Sequence, residues 1–148
     1  NNIVDYTGGD VVGVGIDITR RGAEPAPLGN RVFNNTFYSQ TNHTSGITAI
    51  RVISGASDTI IKNNYASFPN TSNKALVSDS SGNAIISNNV MTNSPGFIDS
   101  NNISPLARNF QINPSANLAI GQGIAVPVFE DYLGKLHKSP YSLGAYLP

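Results

Sequence analysis

The stretch TIIKNNYASF, Thr59 to Phe68, sets two asparagines directly after a β-branched run. Ile60 and Ile61 favour a pleated strand. Asn63 and Asn64 bring short amide side chains that tolerate left-handed backbone and bond to nearby main chain. A strand that ends on such a pair is turning a corner. The same punctuation recurs: GNRVFNN closes on Asn34 and Asn35, and GNAIISNN closes on Asn88 and Asn89, at spacings of 29 and 25 residues about the pair at 63 and 64. In each unit an aliphatic residue, Val32, Ile61 or Ile86, stands two positions before the pair, and a further pair, Asn1 and Asn2, leads into Ile3 and Val4.

Between the corners lies a second strand. In GITAIRVISG, alternation points Ile50 and Val52 one way and Arg51 and Ile53 the other, and NKALVSDSSGN is the next unit's version. Short strands separated by Gly, Ser, Asn and Asp, repeating every two to three dozen residues with no room for a long helix, describe a chain wound as a solenoid of parallel strands. Asparagines placed at the same corner of successive coils can bond amide to amide and satisfy polar groups that a sharp buried turn would leave unpaired. The expected structural corner is therefore Asn34, Asn35, Asn63, Asn64, Asn88 and Asn89.

Composition agrees with an all-β chain. The 148 residues have the length of one domain, and 19 asparagines outnumber the 18 charged residues, a bias toward turns and ladders over helices. With zero formal charge there is no basic field for nucleic acid or an anionic membrane. Cysteine is absent, which excludes disulfides and thiolate sites. No apolar run reaches the ~18 residues of a spanning helix, and NNIVDYTGGD lacks the marks of a signal peptide.

These units resemble those of right-handed parallel β-helix proteins of the pectate-lyase-like class, whose coils read aliphatic, any, Asn-Asn before a turn. The closing third is similar to the final segment of secreted bacterial β-helix proteins through Pro95, Phe97 and Asp99, then Phe110, Ile112, Pro114, Ser115, Ile120, Gly121 and Gly123, then Asp131, Gly134, Gly144, Ala145 and Tyr146. It departs at Ala116, Ser142 and Leu147, where that pattern has proline, aspartate and glutamate. The resemblance implies an all-β, right-handed parallel β-helix (solenoid) with C-terminal coils plus a terminal cap. Residues 1–93 would be coils, incomplete at the N-terminus, and 94–148 the last coil and cap. The aromatics Phe97, Phe110, Phe129, Tyr132, Tyr141 and Tyr146 would cover the last open coil. It also implies an extracellular or cell-surface protein acting on polysaccharide. Because terminal coils normally carry a cap and Asn1 opens directly on the corner residues, a preceding β-helix segment or a second chain is expected against the N-terminal coil. The zero charge and lack of a long apolar run give the expectation of no nucleic acid and no membrane span.

Carbohydrate-active β-helices work in a groove along a strand face. Uronate lyases need a cation against the carboxylate, a base near working pH for the α-proton and an acid for the leaving oxygen. Arg51 and Lys62, outward by alternation, and Tyr65, just past the corner, are the substrate-contact candidates. Arg20 and Arg21, at the start of the Pro-rich excursion RRGAEPAPLG, are candidates for anionic sugar contact. Solvated charges on a β surface are the plainer account of each. Hydrolysis would need paired carboxylates, whereas Asp58 and Asp79 sit where Asx-turns form. No catalytic residue is identified, so the expectation is a lyase-like enzyme whose main site lies partly upstream; the alternative is a non-catalytic adhesive, structural or glycan-binding β-helix. No cofactor is required, although Asp5, Asp10 and Asp17 carry the hard oxygens calcium takes. His43 and His137 lack a second ligand at zinc spacing, and Gly13-x-Gly15 reads as close coil packing.

Overall fold

The computed structural model describes residues 1–6, 13–20, 22–94, 96–101, 108–115 and 118–146. Among these there is no helix. Ten short strands wind in a three-step cycle: β1 Ile3–Asp5, β2 Gly13–Ile18, β3 Arg31–Phe33, β4 Thr36–Tyr38, β5 Ile47–Val52, β6 Ile60–Lys62, β7 Tyr65–Ser67, β8 Lys74–Asp79, β9 Ile85–Ser87 and β10 Val90–Thr92. Each of β1 to β7 pairs with the strand three places later. The result is three parallel sheets ordered β1-β4-β7-β10, β2-β5-β8 and β3-β6-β9, with Val32, Ile61 and Ile86 in one register column. This arrangement fits a β-solenoid of three strands per turn.

The core lies inside the three sheets. Phe37, Ala49, Ile50, Val52, Ile61, Ala66 and Phe68 are fully buried there, and Val4, Tyr6, Ile16, Leu76 and Val77 pack on them from the outer coils. Alternation in β5 falls as the sequence suggests, with Ile50 and Val52 buried and Arg51 exposed. Gly13 and Gly15 line the side where the first coil closes on itself. A Cβ on Gly15 would stand 1.9 Å from the Tyr6 hydroxyl and 2.8 Å from the Ala49 carbonyl, so close packing accounts for that glycine.

The asparagine pairs divide their labour. The first member of each, Asn34, Asn63 and Asn88, takes the left-handed backbone, with φ of 53°, 58° and 51°. The second members stack. Asn2 Nδ2 donates to Asn35 Oδ1 at 3.0 Å, Asn35 Nδ2 to Asn64 Oδ1 at 2.8 Å and Asn64 Nδ2 to Asn89 Oδ1 at 2.8 Å. Each Oδ1 also accepts the backbone N–H of the asparagine one coil earlier. The remaining amide hydrogens of Asn64 and Asn89 go to main-chain carbonyls, so a buried corner is satisfied by a ladder of amides.

From Ser94 onward the chain leaves the solenoid. β11 Phe97–Asp99 and β12 Asn109–Ile112 pair antiparallel, and their rings do not roof the last coil. Phe97 and Phe110 lie against the flank of the β1-β4-β7-β10 sheet, meeting Tyr38 and Tyr65 edge to face at 5.4–5.7 Å. Phe129 and Tyr132 stay exposed, and so do Ile86 and Met91 of the last coil. Tyr38 and Tyr65, two register positions apart on the sheet's outward face, give an aromatic surface that binds the tail sideways, which draws the expected end-covering rings to the flank.

The tail then runs back along the asparagine corner. Asn88 Nδ2 donates to the Gln122 carbonyl at 3.2 Å, and Asn63 clasps Ile124 from both sides, Nδ2 to its carbonyl at 2.7 Å and Oδ1 from its N–H at 3.1 Å. Asn34 Nδ2 meets His137 Nε2 at 3.3 Å, and Asn1 Nδ2 donates to the Glu130 carbonyl. The left-handed asparagines thus turn the coils and hold a strap across them.

Candidate functional site

Among the described residues the expected contact residues stand on different elements, with Arg51 on β5, Lys62 on β6, Tyr65 on β7 and Arg20 after β2. Arg51 is exposed on β5, where its Nε donates to Asp17 Oδ1 at 2.9 Å and its Nη2 pairs with Oδ2. This bidentate grip follows from strand register, since Asp17 and Arg51 are Cα partners on adjacent strands. The hydrogen bond from Arg51 holds the Asp17 carboxyl below its usual range, against the opposing effect of burial. Lys62 is half-buried on β6, in register with Phe33 and Ser87. Tyr65 is 1% exposed and packed on Phe97, and burial pushes its phenol up to about 12, far from a base poised near neutrality. Arg20 is exposed beyond the end of β2, and Arg21 lies outside the described residues.

Two of the calcium candidates are engaged by arginines. Asp5 is paired with Arg108 and Asp17 with Arg51, while Asp10 lies outside the described residues. Among the described residues no group of three or more His, Asp or Glu side chains is placed to hold a metal.

Sequence reasoning missed the Arg31–Asp58 pair, 3.2 Å across neighbouring coils, because Asp58 was read only as a turn former. It holds a turn as well, with φ of 50°. Asp79 does act as expected: burial would raise its carboxyl, but hydrogen bonds from Ser81 and Ala84 outweigh that and lower it. His43 has a partner in Ser39, Oγ to Nε2 at 2.8 Å, but both are sealed from solvent and the ring's Nδ1 has no partner. That pair packs a corner and exposes no nucleophile.

Two concavities stand out. One, of about 480 Å³, lies at the first coil between Ile16–Ile18 and Arg31–Phe33, with Val128 of the strap also lining it. The other, of about 450 Å³, lies at the opposite corner, where Gln40, Asn70, Asn93 and Asn101 surround Tyr38 and Phe97. The sequence held a signal for the second: Gln40 and Asn70 are 30 residues apart, close to the 29-residue spacing of the corners, so coil stacking brings them together. No protein-family model matches the chain, and neither does any curated protein or solved structure.

Proposed function

We propose that this chain is part of a right-handed parallel β-helix of a secreted or cell-surface protein, and that it engages polysaccharide by binding along its rigid outer surface. The observation that supports binding over chemistry is the state of the candidate groups. Arg51 is neutralised by Asp17, and Tyr65 is locked in an aromatic cluster. A uronate lyase needs a cation free for the substrate carboxylate and a base within hydrogen-bond reach of the α-proton. In the lyase-like reading those groups belong to coils outside residues 1–148.

Among the described residues no strand pairs with the outer edges of β1, β2 and β3, which supports the companion proposal that another coil, from an upstream β-helix segment or a second chain, stacks there. Ile16 and Val4 face inward at that edge without full cover, and unpaired strand edges are templates for further strands.

Incubation with pectate, alginate and glycosaminoglycans, read as absorbance near 235 nm (the roughly known range of the unsaturated uronate product), should stay flat while the same polymers retard the protein in affinity electrophoresis. A rise in absorbance would replace the binding reading with the lyase. A flat trace with no retardation by any polysaccharide would remove both.

A further inference from the structure

The cleft at the corner between β4 and β5 has a lining unlike the rest of the surface. Its rim carries the amides of Gln40, Asn70, Asn93 and Asn101 and the hydroxyls of Ser94 and Ser100. Among the described residues no lining side chain is ionisable at neutral pH, and Lys74 touches the rim only through Asn93. The floor is apolar: Tyr38 and Phe97 meet there edge to face at 5.7 Å, beside Pro69. At about 450 Å³ the space falls within the ordinary range of small-molecule sites, roughly 300–1,000 Å³.

We propose that this cleft binds the neutral, hydroxyl-rich rings of a glycan that carries no carboxylate. A carboxamide offers a donor and an acceptor side by side, which matches two adjacent hydroxyls on a sugar ring. The lining side chains carry no charge, and the Lys74 ammonium beside them is already engaged by Asn93 Oδ1 and the Phe68 carbonyl, so a uronate or sulfated sugar meets no cation presented to it, and desolvating a poorly paired anion disfavours it. The apolar floor suits the C–H face of a pyranose.

The rim is already ordered. Asn70 Nδ2 donates to the Gln40 carbonyl at 2.6 Å, Lys74 Nζ to Asn93 Oδ1 at 2.6 Å, and Asn101 Oδ1 accepts from the Tyr38 hydroxyl at 3.3 Å and from Gln40 Nε2. Holding the amides before a ligand arrives lowers the entropy lost on binding. Because the floor rings are nearly buried, a sugar gains little stacking area, and the affinity expected is in the millimolar range.

This proposal takes only its ligand class from the polysaccharide reading. The assays above use charged polymers alone, whereas the test here uses neutral oligosaccharides, so either can fail alone. The test is amide NMR titration of the whole chain with cellotetraose, xylotetraose and galactotetraose, with trigalacturonate as the charged comparator. The expected result is saturable shifts at residues 38–40, 69–70 and 93–101 with at least one neutral tetrasaccharide. Asn70→Ala and Asn101→Ala should each weaken binding about three- to tenfold, the loss of one or two hydrogen bonds, and Lys138→Gln, an exposed change outside the cleft, should leave it unchanged. Asn70 is exposed, so that variant serves if Asn101→Ala does not fold. Absence of saturable shifts with all three neutral sugars, shifts confined to other faces, or tighter binding of trigalacturonate would overturn the proposal.

Discussion

At the scale of single residues, the two asparagines of a corner are not interchangeable, and substitutions should separate them. Asn63 combines a φ of 58° with two hydrogen bonds to Ile124. Asn63→Gly keeps the backbone and loses the clasp, so urea denaturation should show a loss of about 1–2 kcal/mol. Asn63→Ala adds the cost of a Cβ in the left-handed region and should lose about 1–2 kcal/mol more. If the two variants are equally stable, the backbone role is wrong. Asn64 sits in the ladder, buried between Asn35 and Asn89. Asn64→Leu leaves Asn35 N–H and Nδ2 facing an apolar group, and with several buried donors and acceptors orphaned the expected loss is roughly 3–5 kcal/mol. The pair's presence was legible because asparagine's two talents, left-handed backbone and amide stacking, are both local chemistry. Which member did which was not legible, since both jobs suit the same side chain and only the direction of the Cβ decides.

At the scale of elements, the first coil closes tightly because β2 spends two glycines against Tyr6. The Tyr6 hydroxyl is buried without a hydrogen-bond partner, and burial raises its pKa well above the ordinary 10.0. Tyr6→Phe should therefore hold or increase stability, by up to about 1 kcal/mol, because it removes a polar group that costs desolvation. Gly15→Ala should lose about 1–3 kcal/mol through overpacking. Joined in one chain, the two changes should lose less than their sum, since the hydroxyl is the nearest atom to the new methyl at 1.9 Å. Thermal melts of the four proteins of this cycle decide it, and strict additivity would mean the coil relieves the clash by shifting backbone instead. Strand alternation made the faces of β5 readable from Ile50, Arg51 and Val52. The flank site of β11 and β12 was not readable, because Tyr65 and Tyr38 were outward by the same alternation and only the tail's approach turned them into core. That contact is also why Tyr65 does not stand as a groove residue.

At the scale of the whole molecule, the repeat fixes the parallel stacking, while the tail decides which surfaces are left open. The sequence marks the tail by its Pro, Gly and aromatic residues, yet its path along the corner depends on long-range pairings such as Asn34 with His137, 103 residues apart, that no local pattern contains. That pairing makes the strap sensitive to acid. His137 accepts from Asn34 Nδ2 through Nε2 and bonds the Glu130 carbonyl, and its pKa lies below the ordinary 6.5, chiefly through burial. Asp131 pulls the other way, and the α-amino group of Asn1 adds to the lowering. A group with a depressed folded-state pKa contributes stability that is complete above 6.5 and lost as pH falls through the folded value. Protonation also turns Nε2 from acceptor to donor, facing another donor. Amide exchange of residues 129–137 should thus accelerate relative to β5 and β6 once the rates are corrected for intrinsic pH dependence, as pH drops from 7.5 to about 5. His137→Gln, which offers an uncharged amide in the same place, should flatten that profile, and a wild-type profile as flat as the variant's would show that the strap is held by its other clasps alone.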